Sequence, residues 1–352
     1  LNKGKKSVAV DMRSPEGREL ITQIITAEGD DAGMFITNLR VRGWMDYETL
    51  SQHRPDLISV TLTGDRHGGP QVDYTVNPAL GIPSITGPEG SQDPVANALP
   101  AWDCMAGNLV VSSLLAAERH RLRKGVGQDV EFSLMDVAAS TIGHLGMIAE
   151  ATVQDEPRGK AGNALYGAYG QDFVCACGGR VMVIGLTHRQ WCGLLKATET
   201  SEAMKAAERR AGCSFDDEGN RWAHRSLITD VLRPWFAARR IDEFENMFNA
   251  LSLTWSRFRT IKEAVHENKD QFEKNPLFEK MMQPNIGEYL VPRHAVSFSG
   301  CDTLPAQIAP ELGAHTEEIL ETVLGMTTGE MGRLFDKGVV ASPNFSRCPY
   351  AA

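Results

Sequence analysis

The sequence predicts an α/β protein: an open parallel sheet covered by helices in its first half, and a smaller mixed α+β domain from residue 165. Two observations carry this expectation. Short apolar segments at 7–10, 34–37, 57–63 and 130–134 alternate with helix-type segments, the pattern of parallel strands joined by crossover helices. From residue 165 the pattern changes to a strand at 180–185, a helix around Trp191 and several amphipathic helices between 200 and 266.

Each element has a local reason. After the first strand, Ser14-Pro15-Glu16 offers an N-cap, a proline at the first helical position and an acidic first turn, so a helix is expected to about Ala27. A helix at 47–53 separates the second and third strands. Residues 64–100 are rich in Gly, Pro, Asn, Asp and Ser, and so long an irregular stretch predicts a site-forming loop. Asp103 is expected to cap the next helix, whose end carries Arg119, His120, Arg121, Arg123 and Lys124 against its dipole before Gly125 stops it. A mostly apolar helix is expected over 136–151. Thr316 is expected to cap a final amphipathic helix over 317–324.

Bulk properties exclude several classes. With 352 residues, 42% of them hydrophobic, the chain can bury a substantial core. It has no apolar run long enough to span a bilayer, and its first residues lack the apolar core of a secretory signal, so a cytoplasmic location is the default expectation. The start at Leu1, just before the first strand, suggests that sequence precedes it. A formal charge of -9 argues against a nucleic-acid scaffold. Positive charge is nonetheless clustered at Lys3, Lys5, Lys6 and Arg13, then at Arg40, Arg42 and Arg66, where it suits either solvated surface or a small polyanion. Seven cysteines at scattered spacings predict reduced, structural thiols, and Cys175-Ala176-Cys177 has no second ligand pair at zinc spacing.

No phosphate-binding P-loop, dinucleotide fingerprint, HExxH helix or GxSxG elbow occurs. What remains is the strand-to-helix junction around Ser133 and Asp136, which stand three residues apart, at capping-box spacing. Two readings fit. Asp136 either satisfies a backbone N–H at the helix start, or it is a carboxylate kept ionised by the positive helix end, beside free N–H groups able to hold an oxyanion, and serves as a covalent nucleophile. His120 fits dipole complementation, and His144 fits a structural histidine on an apolar helix.

The junctions taken together resemble the type III coenzyme A transferases, the CaiB/BaiF-like family. The resemblance rests on residues 2–7 followed by Asp11-Met12-Arg13-Ser14-Pro15-Glu16-Gly17, on Thr37-Asn38-Leu39-Arg40, on 101–107 and 114–117, on the block from Gly125 to Asp136, and on Leu312-Gly313-Ala314-His315-Thr316. In that family the aspartate matching Asp136 is the nucleophile, and the residues matching Arg13, Asn38, Leu39 and Arg40 lie along coenzyme A. The resemblance implies a Rossmann-like large domain built from both chain ends (1–164 and a return over 291–352), a small domain over 165–290, a missing first strand, and an interlocked homodimer. It implies no cofactor beyond coenzyme A carried by the acyl-CoA substrate, no metal, and no nucleic-acid or membrane partner.

Residues 74–78, 143–150 and 166–173 resemble the branch that moves coenzyme A between the C1 and C4 carboxyl groups of mesaconate through an aspartyl thioester. Gly68-Gly69 and Gly178-Gly179 are pairs, not the glycine run of the formyl and oxalyl transferases. The segment 69–73 lacks the histidine of the racemase branch. An intermolecular transferase using a separate dicarboxylic acid shares every residue named, and a silent coenzyme A-binding protein with Asp136 as a cap is the alternative from another class.

Overall fold

The computed structural model describes residues 2–154 and 158–343. Its first part runs β1 (Ala9–Val10), α1 (Pro15–Ile25), β2 (Met34–Thr37), α2 (Tyr47–His53), β3 (Ile58–Thr63), α3 (Asp73–Ala79), α4 (Ile82–Ile85), α5 (Ala101–Lys124), β4 (Gln128–Ser133) and α6 (Leu134–His144). Next come α7 (Met147–Val153), β5 (Tyr169–Val174), β6 (Arg180–Gly185), α8 (His188–Ala197), α9 (Ser201–Ala211), α10 (Glu218–Ala223), α11 (Arg225–Ala237), α12 (Ile241–Ala250) and β7 (Thr254–Arg257). The chain continues through α13 (Ile261–Glu267), β8 (Phe278–Gln283), β9 (Gly287–Pro292), α14 (Thr316–Thr322), α15 (Thr328–Asp336) and β10 (Val340–Ala341).

Two compact units are present: residues 1–76, 100–144 and 265–352 form one, and residues 77–99 with 145–264 form the other. In the first unit, β2, β3 and β4 make a parallel sheet with β3 in the centre. Alternation along β4 explains its two faces. Val130 and Phe132 pack with Ile58, Val60, Val110 and Leu114 against α5, while Asp129, Glu131 and Ser133 point the other way. The sheet is smaller than the open Rossmann-like sheet expected: β1 pairs antiparallel with β10 in a separate two-stranded sheet.

The L-G-x-H-T motif does its work at that seam. Gly313 N–H donates to Ser7 Oγ (2.9 Å), Ser7 N–H to His315 Nδ1 (3.0 Å), and Thr316 Oγ1 accepts from Ala9 N–H (3.1 Å) while donating to the Ala341 carbonyl (2.8 Å). Gly313 sits at φ +72° with the Ala341 carbonyl 2.6 Å from where a Cβ would stand, so only glycine closes this turn. Thr316 is therefore spent joining the two chain ends, and His315 takes the N-cap position of α14, which α15 follows. The expected terminal helix is thus two.

Three other expectations are corrected. The stretch 64–100 holds two short helices, α3 and α4. The carboxylate that caps α5 is Asp73, which accepts from Trp102 N–H (2.7 Å) and Asp103 N–H (3.3 Å), because Asp103 already lies inside the first turn. The apolar helix expected over 136–151 breaks into α6 and α7 at Gly146, whose φ of +78° ends a right-handed helix. Arg121 also does more than complement a dipole: it is buried and donates to the carbonyls of Asp30, Ala32 and Gly33.

The second unit packs the antiparallel sheet β5-β6-β7 against α8, α9, α11 and α12. Its core is aromatic, with Phe173 stacked on Phe236 at 4.3 Å and Trp235, Phe244 and Phe248 around them. Among the described residues the six cysteines are free thiols. Burial pushes Cys175 up to about 11, whereas N–H groups of Ile241 and Gly179 hold exposed Cys177 below the usual thiol value. No helix among the described residues is long and apolar enough to cross a membrane.

Candidate active site

Register brings the site together. Thr63 at the end of β3 pairs with Ser133 at the end of β4, so the loop after β3 and the helix after β4 leave the sheet side by side at its carboxyl edge. Met135 N–H donates to the Gly64 carbonyl (3.1 Å) and ties them.

Asp136 lies in the first turn of α6. Ser133 Oγ accepts from Asp136 N–H (3.1 Å) and donates to Asp136 Oδ2 (2.8 Å), so the serine performs the N-cap and the carboxylate is left to face outward. The second oxygen, Oδ1, accepts from Arg66 Nη2 at 3.0 Å. The carboxylate is therefore not consumed by capping, and it stands in the first turn of the helix, paired with a guanidinium. Two of the amides at this helix start are engaged: Met135 N–H donates to Gly64 O and Asp136 N–H to Ser133 Oγ.

The loop carrying Arg66 is built around Asp65. Its Oδ1 accepts from His67 N–H and Gly69 N–H, each at 2.8 Å, and Thr63 Oγ1 donates to the Asp65 carbonyl (2.8 Å). The donors from Gly69 and His67 hold Asp65 below its ordinary carboxylate value, so the cage keeps its charge at neutral pH. A Cβ on Gly64 would lie 2.4 Å from Gln71 N, a backbone atom, so glycine is required there, while one on Gly69 would press on the Asp65 side chain, 2.2 Å from its Oδ2.

A concavity of about 470 Å³ lies beside this loop, lined by Asn38, Arg40, Gly64, Gly69, Asp103 and Leu134 among others. Desolvation and the neighbouring Asp73 carboxylate hold Asp103 above its ordinary value. On the polar sheet face a second concavity of about 560 Å³ is lined by Leu39, Arg40, Arg42, Ser59, Asp129 and Glu131 among others. There desolvation and the charge of Glu131 raise Asp129, and Arg40 pairs with Glu131 at 3.3 Å.

Asn38, Leu39 and Arg40 thus cluster along these concavities, while Arg13 lines neither and pairs with Asp11 in the turn before α1 (2.8 and 3.2 Å). His144 is exposed at the end of α6, and His120 lies in the last turns of α5. Among the described residues no group of three His, Cys, Asp or Glu could hold a metal ion. The sequence had Arg66 only as one member of a basic cluster. The signal that could have singled it out is its place in a Gly-flanked turn directly after a strand ending. In the other unit, residues 145–150 and 166–173 meet where Tyr166 Oη donates to Glu150 (3.0 Å) and the Arg158 guanidinium covers the Tyr166 ring at 3.8 Å.

The family model described as CoA-transferase family III matches residues 1–316. The chain is 49% identical over 344 residues to 2-methylfumaryl-CoA isomerase of Chloroflexus aurantiacus, covering 98% of this chain and 84% of that protein. It is 25% identical to succinyl-CoA–D-citramalate CoA-transferase of the same organism, over 97% of this chain and 83% of that one. Among solved structures, a CAIB/BAIF family protein from Brucella suis superposes with a TM-score of 0.72 at 22% identity, covering 92% of this chain and 82% of that one. Rv3272 from Mycobacterium tuberculosis superposes with a TM-score of 0.69 at 21% identity, covering 90% and 84%. Both structural likenesses bear on the mixed α/β fold alone.

Proposed function

Because this chain belongs to CoA-transferase family III, we propose that it moves coenzyme A between the C1 and C4 carboxyl groups of mesaconate, with Asp136 as the nucleophile. The observation that carries the reading is the Asp136 carboxylate, relieved of capping by Ser133 and presented at the carboxyl edge of the sheet. The 49% identity to a 2-methylfumaryl-CoA isomerase supports the substrate and the intramolecular outcome.

The steps balance without any outside reactant. Asp136 attacks the thioester carbonyl, the C–S bond breaks, and coenzyme A leaves as thiolate from a mixed anhydride. The thiolate attacks the aspartyl carbonyl, the anhydride C–O bond breaks, and mesaconate is released as a carboxylate beside an aspartyl thioester. The other carboxylate of the same mesaconate then attacks that thioester, and the first two steps run in reverse, restoring the Asp136 carboxylate. No net proton transfer is needed. Catalysis reduces to positioning and to retention of the diacid.

Arg13, Asn38, Leu39 and Arg40 are assigned to coenzyme A. Their support is the resemblance of the motifs that carry them to the family, together with the concavities that Asn38, Leu39 and Arg40 line. The subunit is assigned to an interlocked homodimer, supported by α5, whose Met105, Leu109, Val111, Leu115 and Leu122 are exposed in the single chain.

The test is isotopic. Mesaconyl-C1-CoA incubated with the protein and a pool of labelled free mesaconate is expected to give the C4 isomer without label. Label in the product would identify an intermolecular transferase, and no conversion would reject the substrate.

A further inference from the structure

Resting on that reading, we infer that Arg66 holds the idle carboxylate of the diacid and is the residue that makes the transfer intramolecular. Among the described residues Arg66 is the one cation ion-paired to Asp136, and Asp136 Oδ1 is its one protein acceptor. Its side chain is 69% exposed, so most of its five N–H donors face outward and can take a carboxylate as a fork. The backbone beneath it is fixed by the Asp65 cage and the Gly64–Met135 hydrogen bond. The other cation nearby, Arg40, is engaged with Glu131 across the sheet edge.

Charge bookkeeping gives this arrangement its consequence. In the resting site one guanidinium neutralises one carboxylate. When the substrate arrives, its free carboxylate competes for Arg66, and transfer of the guanidinium to it uncovers Asp136 Oδ1 for attack on the thioester. Once Asp136 has become an aspartyl thioester its charge is gone, and Arg66 loses its protein partner. At that same step mesaconate has become a dianion. The attraction between Arg66 and the diacid is therefore greatest at the one point in the cycle where the diacid is not covalently held and could escape. A monoacid offers no such handle, so the same pairing also selects dicarboxylates.

Arg66→Gln and Arg66→Lys, assayed beside the unaltered protein with mesaconyl-C1-CoA and labelled free mesaconate, test this. The unaltered protein reports on the underlying reading: unlabelled C4 product upholds it, and labelled product overturns it whatever the variants do. Given an unlabelled product there, Arg66→Gln is expected to lose about 100-fold in kcat/KM. The product it still makes is expected to carry label, and rapid quenching is expected to find mesaconate released beside an aspartyl thioester. Arg66→Lys, which keeps the charge, is expected to carry less label than Arg66→Gln. A merely structural role for Arg66 would change rate without changing label. Unlabelled product from Arg66→Gln, equal labelling in the two variants, or a glutamine variant that never releases mesaconate would each overturn the inference.

Discussion

Asp136→Asn is expected to lower turnover of mesaconyl-C1-CoA by at least about 10⁴-fold while the protein stays folded. The amide has no anionic oxygen, so it cannot form the anhydride, and with it goes the only covalent path the proposed steps use. Stability is expected to change little. The helix keeps its cap, because Ser133 Oγ receives the backbone N–H of residue 136 and not its side chain. The lost ion pair with Arg66 is solvent-exposed, and such pairs contribute about 1 kcal/mol or less. Thermal unfolding monitored by circular dichroism, together with an activity assay, checks both parts. A variant that fails to fold would return Asp136 to the role of a structural cap. In the unaltered protein, hydroxylamine added during turnover is expected to convert Asp136 to its hydroxamate, which peptide mass spectrometry would locate.

Gly64→Ala is expected to cost about 100-fold in kcat/KM through position alone. A Cβ there would stand 2.4 Å from both Gln71 N and the Gly69 carbonyl, and these two atoms already share a 2.9 Å hydrogen bond. Ordinary contact distances are about 1 Å longer, and the obstructing atoms are backbone, so no side chain can swing aside. The loop must shift, and it is the loop that carries Arg66 and whose Gly64 carbonyl receives Met135 N–H at the start of α6. The stability cost is expected to be about 1–3 kcal/mol, a loss of a few degrees in Tm. Steady-state kinetics on the folded variant decides the matter: activity within threefold of normal would mean that the loop tolerates displacement and its geometry does not matter to the reaction.

Much of the framework was legible in the chain because it depends on local rules. The limits of β2 and α2 fell where the sequence put them, and Ser14 caps α1 as its Ser-Pro-Glu signature indicates. The strand-to-helix junction at Asp136 was legible for the same reason. Elements failed where a distant residue overrode a local preference. Asp103 has the right chemistry for a cap but is one turn too late, because Asp73, about thirty residues earlier, reaches the amides first. Thr316 has the right chemistry too, and is drawn instead to Ala341 and Ala9. Arg121 reads as a charge complementing a helix end and is in fact buried, holding the carbonyls of a loop about ninety residues away in sequence.

By itself, then, the sequence determined many of the strands and helices and which carboxylate stands at the start of a helix, since propensity, capping and alternation act within a few residues. It did not determine what that carboxylate meets. The pairing of Arg66 with Asp136 depends on the register that sets Thr63 against Ser133, and register follows from which faces are buried when the sheet packs against α5. Seventy residues separate the two charges along the chain. Only the folded sheet brings them within 3.0 Å, and only that distance turns a helix-start aspartate and one surface arginine among several into a candidate site.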